Sequence, residues 1–239
     1  MISLLFLILS LFIVGCSSEQ THNEFLTKAE QIVFEQPDSV VRMLAPRWYD
    51  TKMTEADRAL YGLLYTEALH RSGLLTGSDS LILASRKYYE DRGDKEHLSR
   101  ALLHHAIILY KQKQTHEAIL TMKRAEHMAN DIDMPAYKWY LYAVLGDVND
   151  NVGNNPQTLR YYQQALAEAR RCKKDDWIVQ TLNNIAMTFD MLGQSDSLKY
   201  YTDKAKPYAP KTSGEIRATY LVNKASYLMS MSKQQEAKR

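Results

Sequence analysis

The fold is decided by residues 137–169, which read YKWYLYAVLGDVNDNVGNNPQTLRYYQQALAEA. Apolar residues recur there at steps of three and four, which is the spacing of one face of an α-helix. The pattern occurs twice, first over Tyr142 and Leu145 and then over Leu159 and Tyr162. Two amphipathic helices separated by a short turn are therefore predicted.

The turn between these helices is Gly153-Asn154-Asn155-Pro156. Glycine adopts positive φ without steric cost, which suits the residue that follows a helix. Asparagine can cap the next helix, and proline suits the first helical turn because its missing N–H is not needed there. The chain is therefore expected to reverse direction and to form an antiparallel helix pair.

The same unit recurs along the chain. One phase of the pattern is occupied by small residues at spacings of 40, 40 and 39, namely Ala106, Gly146, Ala186 and Ala225. The turn glycine recurs as Gly193, and a tyrosine pair recurs as Tyr200-Tyr201. Short side chains allow two helices to approach closely, so this phase is predicted to mark the contact within each pair.

This arrangement resembles the tetratricopeptide repeat (TPR) family, which has a small residue eighth in its first helix and alanines and an aromatic residue in its second. The resemblance is good over residues 99–172, looser over 179–205 and partial elsewhere. The unit exceeds the usual length of about 34 by about six residues, and the family's closing proline is missing. HEAT repeats, with a similar period, are the alternative. The resemblance implies an all-α, right-handed solenoid of antiparallel helix pairs with repeats of roughly 40 residues.

Composition agrees with an all-α globular chain. Hydrophobic residues make up 45% and charged residues 24% of the 239 positions, which argues against disorder. The 30 basic and 28 acidic residues are interspersed, giving a net charge of +2. Nucleic-acid binding is not expected, because it requires a clustered basic face. The densest basic run, at 170–174, is followed at once by two acids, as expected of a helix end beside the next helix start.

The N-terminus carries an export signal pattern. Residues 2–15 are apolar but too few for a relaxed transmembrane helix, and they have the length of a signal-peptide core. The following Cys16 resembles the lipidated residue of a bacterial lipobox. That resemblance implies a signal peptide at 1–15, then lipidated Cys16 and a tether over 16–22. The protein would be a membrane-anchored lipoprotein of the bacterial cell envelope, facing periplasm or exterior. No basic residue precedes the apolar run, so an uncleaved anchor is the alternative.

The rest of the chain divides into helical units. A helical pair is predicted at 23–53, in which Pro37-Asp38-Ser39 ends one helix and caps the next. A divergent TPR-like pair follows at 54–97, opened by a capping box of Thr54 and Asp57, and TPR-like repeats occupy 98–239. In the last repeat, the first helix is expected to end near Met231 and an incomplete second helix to follow it. We therefore expect a truncated chain, or a partner that covers this end, because solenoids normally require a terminal cap.

The sequence contains no catalytic constellation. Phosphate-binding loops, HExxH, GxSxG and paired CxxC motifs are absent, so we predict a protein that is not an enzyme and has no cofactor. If Cys16 is acylated, only Cys172 remains and no intrachain disulfide can form. His104 and His105 are neighbours on a helix and point about 100° apart, so no shared metal site is expected. One of them is expected in the groove and the other at a packing seam.

The TPR resemblance implies an inner groove lined by positions 2, 5, 9 and 12 of each first helix. The partner-binding candidates at these positions are Arg100, Tyr110, Tyr140, Asp147, Asp150, Asn183 and Asp190. Arginine and tyrosine carry much of the binding energy in protein interfaces, and the carboxylates favour a cationic partner segment. The alternative is that these acids are ordinary solvated helix residues. The carboxylate clamp of chaperone-binding TPR domains is not implied, because acids stand where that clamp has Lys and Arg.

The resulting functional prediction is a lipid-anchored TPR scaffold that binds a protein or peptide partner in its groove. The alternative prediction is the N-terminal sensor portion of a truncated, membrane-associated transcriptional regulator. No residue of this chain is predicted to bind nucleic acid.

Overall fold

The computed structural model describes residues 24–47, 52–74 and 78–236, and this part of the chain is all-helical. The all-α prediction is confirmed for these residues. Cys16, the signal peptide and the tether lie outside them. The α-helices of the described residues are α1 (Glu24–Ile32), α2 (Pro37–Leu44), α3 (Glu55–Arg71), α4 (Ser80–Arg92), α5 (Lys95–Lys111), α6 (Thr115–Ala129), α7 (Pro135–Asn151), α8 (Asn155–Cys172), α9 (Asp175–Met191), α10 (Ser195–Ala205) and α11 (Gly214–Glu236).

Consecutive helices pack against each other in pairs, most extensively α7 with α8 and α5 with α6. One continuous group of buried apolar side chains extends from α3 to α11. Each pair therefore buries part of its neighbour's surface, and the core follows the whole row of helices.

The turn predicted after α7 is confirmed in its main feature. Gly153 has a φ of 73°, and Gly193 has a φ of 68° at the corresponding turn after α9. The predicted asparagine cap is wrong, because the side chain of Asn154 makes no capping hydrogen bond. Its carbonyl oxygen instead accepts the Thr158 N–H at 2.9 Å, and Pro156 occupies the first helical turn.

Two other predicted caps have different outcomes. The capping box before α3 is confirmed, since the Asp57 N–H donates to Thr54 Oγ1 at 3.1 Å and the Thr54 N–H donates to Asp57 Oδ2 at 3.4 Å. The cap predicted for α2 is wrong in detail. The capping position is Gln36, which makes no side-chain capping bond, and Pro37 starts the helix.

The contact between α7 and α8 depends on a missing side chain. A Cβ atom added to Gly146 would overlap the ring of Tyr162. A glycine inside a helix lowers its stability by about 1 kcal/mol relative to alanine. At this position, however, the absence of a side chain lets the backbone of α7 and the Tyr162 ring approach closely. The predicted close approach at this position is confirmed.

The last helix differs from the sequence prediction. Helix α11 continues to Glu236, so the predicted break near Met231 is wrong. Residues 215–236 contain neither glycine nor proline, and no residue type in that stretch forces the helix to end.

The first two helices fold back onto the rest of the chain. Arg71 Nη2 donates to the carbonyl oxygen of Phe34 at 2.7 Å, and Lys174 Nζ lies 2.6 Å from Glu35 Oε1. The turn between α1 and α2 therefore contacts both the end of α3 and the start of α9. Residues far apart in the sequence are brought together at this point.

Candidate functional site

The candidate site is a cleft between α3, α5, α7, α8 and α9, which we call the Asp147 cleft. Two adjoining pockets of about 230 and 340 Å³ share Asp147 and Asn151 and together form it. The side chains of the cleft that matter for its chemistry are His70, Tyr110, Tyr140, Asp147, Asp150 and Tyr162.

Helix α7 supplies the centre of the cleft. Tyr140, Asp147 and Asp150 follow one another at steps of seven and three, which places them on one face of that helix. The wall opposite is supplied by the ends of two other helices, where His70 lies near the end of α3 and Tyr110 near the end of α5. The cleft therefore brings together residues from several helix pairs.

The carboxylate of Asp147 is held by a tyrosine from the neighbouring helix. Tyr162 donates its hydroxyl proton to Asp147 Oδ1 over 2.7 Å. The ring reaches that position by lying over Gly146, the residue directly before Asp147. The absent side chain at Gly146 thus determines both the packing of α7 on α8 and the placement of a polar group in the cleft.

Asp147 is exposed at the mouth of the cleft, and the protein packed around its carboxylate still disfavours the ionised form. Burial raises the pKa of Asp147 to about 6, the charge of Asp150 adds to the effect, and the Tyr162 hydrogen bond partly offsets both. One carboxylate oxygen of Asp150 is buried without a hydrogen-bond partner. In the part of the chain that the structure describes, neither carboxylate has a Lys or Arg within ion-pair distance, although Lys111 also lines the cleft.

His70 lies in one wall of the cleft and His104 is buried behind it, where the Arg71 guanidinium also lies over the Tyr140 ring at 4.7 Å. His104 stacks on Tyr140 with ring centroids 5.8 Å apart, and its Nδ1 lies 3.0 Å from His70 Nδ1. Burial lowers the pKa of His70 to about 3 and also lowers the pKa of His104, so both rings are neutral at physiological pH. One ring then donates and the other accepts the hydrogen bond between them. The prediction that either His104 or His105 lies in the groove is wrong, because both are buried.

A second polar group lies beside the cleft, and we call it the Arg100 ion cluster: Glu30, Glu67, His97 and Arg100. Arg100 is completely buried, its Nη1 lies 2.7 Å from Glu30 Oε1, and its Nη2 lies 2.8 Å from Glu67 Oε2. Although predicted to contact a partner, Arg100 has no exposed surface here. Its guanidinium group binds α1 and α3 instead.

Contacts within the ion cluster shift the pKa values of its members so that the charged forms are favoured. Burial alone would raise the pKa of Glu30, but the His97 hydrogen bond and the Arg100 charge lower it to about 2. Burial alone would lower the pKa of His97, but hydrogen bonds to Asp94 and Glu30 raise it to about 9. At neutral pH the cluster is therefore fully ionised, with its charges paired inside the protein.

The predicted partner-binding residues do not all lie together. Tyr110, Tyr140, Asp147 and Asp150 lie in the Asp147 cleft. Arg100, Asn183 and Asp190 do not, as the first is buried in the ion cluster.

The other two residues outside the cleft connect α9 to α11. Asn183 is buried and donates through Nδ2 to the carbonyl oxygen of Ile216 at 3.1 Å. Asp190 is exposed and accepts a hydrogen bond from the Ser226 hydroxyl at 2.7 Å. Both side chains have structural partners within the chain.

Sequence reasoning missed His70 and Tyr162. His70 belongs to the divergent pair over 54–97, where the repeat pattern assigns no groove position. Tyr162 has the spacing of a packing residue, and its hydroxyl reaches Asp147 only because Gly146 leaves room for its ring. The sequence signal that could have identified it is the glycine that directly precedes an acid on the helix.

The described residues contain no group of three or more His, Cys, Asp or Glu side chains placed to hold a metal ion. Among the same residues, no helix combines the length and the apolar character needed to cross a membrane. Comparison with models of known protein families and with curated proteins finds no match to this chain.

Proposed function

We propose that this protein is a TPR-type scaffold, not an enzyme, whose Asp147 cleft binds a protein or peptide segment that carries a lysine or arginine side chain. The observation that carries the proposal is the pair Asp147 and Asp150, two neighbouring carboxylates for which the described residues supply no cation within ion-pair distance. A partner's cation would supply the missing charge.

The electrostatics of the cleft support a cationic ligand. The raised pKa of Asp147 means that its ionised form is disfavoured in the free protein. A cation placed beside it removes this penalty, so binding gains free energy that is not available at an already paired acid. Tyr110 also lines the cleft, and an aromatic ring adds an attraction for the same cation.

A repeat architecture is supported by the helix boundaries. Helices α5, α7, α9 and α11 begin at Lys95, Pro135, Asp175 and Gly214, so their starts are 40, 40 and 39 residues apart. A regular row of helix pairs with this period supports repeats of roughly 40 residues, and the right-handedness of the proposed solenoid comes from the TPR resemblance. Such arrays present extended binding surfaces on their inner side.

Attachment to a bacterial membrane through Cys16 completes the proposal. Two or three acyl chains would anchor the protein stably, since each buried methylene contributes about 0.8 kcal/mol. The substitution Cys16→Ser should abolish incorporation of an alkynyl fatty acid and release the protein from the membrane fraction. A Cys172→Ser variant is the matched control and should keep both. Unchanged labelling of Cys16→Ser would contradict lipidation at this residue.

The cleft is tested by reversing its charge. Membranes that contain the native protein, the double variant Asp147→Arg, Asp150→Arg, or a control are treated with a crosslinker, and the captured proteins are identified by mass spectrometry. The control is Asp91→Arg, Asp196→Arg, which makes the same charge change on α4 and α10, away from the cleft.

We expect the cleft variant to lose at least one crosslinked partner that the native protein and the control both retain. The segment captured by the native protein should contain a lysine or arginine. Identical partner profiles for all three proteins would contradict the proposal. Circular dichroism of each variant checks that the helices remain folded.

A further inference from the structure

Helix α11 carries an apolar stripe that no other described helix covers. Leu221 is 54% exposed, Val222 66%, Leu228 50% and Met229 62%. These residues and the exposed Ala225 follow one another at steps of one, three, three and one, which places them on one face of the helix. A contiguous apolar face of this kind indicates an interaction surface, whereas apolar residues scattered singly would not.

The equivalent surfaces of two earlier helices are covered by their neighbours. On α7 the small residue Gly146 lies under the ring of Tyr162 from α8. On α9 the small residue Ala186 is completely buried and packs in one cluster with Leu198 from α10. Ala225 occupies the same phase on α11 but is exposed. The stripe thus has the character of a helix-packing surface, with a short side chain at its point of closest approach.

The stripe is symmetric about Ala225. Its large residues lie four and three positions before Ala225 and three and four positions after it. If a second α11 is placed antiparallel with a two-fold axis at Ala225, Leu221 lies opposite Met229 and Val222 lies opposite Leu228 of the other copy. A two-fold interface requires such self-complementarity, because the same patch must fit itself.

From this symmetry we infer that α11 is a homodimerisation surface that pairs antiparallel with α11 of a second copy of this chain. The inference does not depend on the Asp147 cleft. The four large residues expose roughly 450 Å² per protomer, or about 900 Å² in total, against about 1,600 Å² in a stable interface. The interface is therefore smaller than that of a stable dimer, and we expect a weak dimer that forms where the protein is concentrated.

The geometry is tested by cysteine crosslinking. The full chain, with Cys16→Ser and Cys172→Ser as background so that the introduced cysteine is the single thiol, is purified in mild detergent and oxidised with copper phenanthroline. Single variants Ala225→Cys, Ala218→Cys and Ser232→Cys are compared, together with an equimolar mixture of the last two. Residues 218 and 232 lie seven positions on either side of the axis. Only antiparallel pairing therefore brings residue 218 of one copy beside residue 232 of the other copy.

The antiparallel dimer is expected to give an Ala225→Cys disulfide and a disulfide in the 218/232 mixture, with little crosslinking of Ala218→Cys or Ser232→Cys alone. Self-crosslinking of those two variants would indicate parallel pairing and overturn the inference. Absence of crosslinking at all positions, with a monomer in sedimentation at about 100 µM, would also overturn it.

A substitution within the stripe tests whether the dimer forms through this surface or through another one. Val222→Asp should weaken the dimer at least tenfold in sedimentation, with unchanged circular dichroism, because the residue is largely exposed in the protomer. The matched control, Val222→Leu, should keep the dimer. A dimer that persists in Val222→Asp would show that it forms elsewhere, for example through the N-terminal apolar run, and would overturn the inference.

Discussion

The Arg100 ion cluster and the Asp147 cleft both place carboxylates among aromatic and apolar side chains, but with opposite electrostatic outcomes. In the cluster, Glu30 has a pKa lowered to about 2 because Arg100 and His97 contact it. In the cleft, Asp147 has a pKa raised to about 6 because burial and the charge of Asp150 outweigh the Tyr162 hydrogen bond. A carboxylate thus contacts cations in one region, whereas among the described residues it has no cation within ion-pair distance in the other.

This difference shows which charged side chains contribute to the stability of the fold. The cluster joins α1 to α3 and α5 through a completely buried arginine, so its charges stabilise the native arrangement. The cleft contains Asp147, whose raised pKa means that its charge weakens the free protein. For that reason the cluster is interpreted as structural, and the cleft is the region that we propose for partner binding.

The largest expected effect is the loss of stability when Arg100 is removed from the ion cluster. Arg100→Met leaves Glu67 buried without its cation, and we expect a loss of about 3–5 kcal/mol in the free energy of unfolding, measured with urea. The added substitution Glu67→Met should recover most of that loss, because it removes the orphaned charge. A loss below about 1 kcal/mol for Arg100→Met would mean that the cluster is not structural.

The second prediction concerns the geometry of the cleft. Gly146→Ala forces the Tyr162 ring away from α7, and we expect a net loss of about 1–2 kcal/mol although alanine is the better helix former. Gly214→Ala, where an added Cβ meets nothing within 4 Å, is the control and should not destabilise the protein. Equal stability of both variants to urea would show that the ring is free to move aside.

The third prediction uses the pH dependence of the cluster. His97 has a folded-state pKa of about 9, above its unfolded value of about 6.5, so its stabilisation is present below pH 6.5 and is lost as pH rises through 9. The free energy of unfolding should fall by about 1–2 kcal/mol between pH 7 and pH 10. His97→Gln should show a smaller fall over the same range, and an equal fall in both proteins would contradict the assignment.

The smallest expected effect is the change in the free energy of unfolding when the charge of Asp147 is removed. The folded-state pKa of Asp147 lies above its unfolded value of about 3.9, so its ionisation destabilises the fold as pH rises from about 4 to about 6. Asp147→Asn should therefore stabilise the protein at pH 7 by less than about 1 kcal/mol, since partial exposure to water screens the effect.

That gain should disappear near pH 4 in thermal unfolding, where Asp147 is largely protonated in the native protein. The same variant should lose affinity for a cationic partner. A variant that is less stable than the native protein at pH 7 would show that ionised Asp147 is favoured in the fold.

Much of the helical layout could be predicted from the sequence, because its causes are local. The periodic apolar residues of 137–169 and the positive φ at Gly153 depend on neighbours within a few positions. The continuation of α11 past Met231 was missed for the opposite reason, since no local signal marks a break there. Tyr110, Tyr140, Asp147 and Asp150 could be placed in one cleft because the repeat pattern sets their phase on the helices.

The sequence by itself determined that this protein is helical, where most of its helices turn, and which faces carry tyrosine and aspartate, since these properties follow from side-chain periodicity and backbone preference. Only the tertiary structure decided which charges are paired. Arg100 meets Glu30 across 70 positions of sequence, and Asp147 meets Tyr162 because one glycine admits the ring. Such pairings depend on how helices pack in space, and no local pattern in the chain specifies that packing.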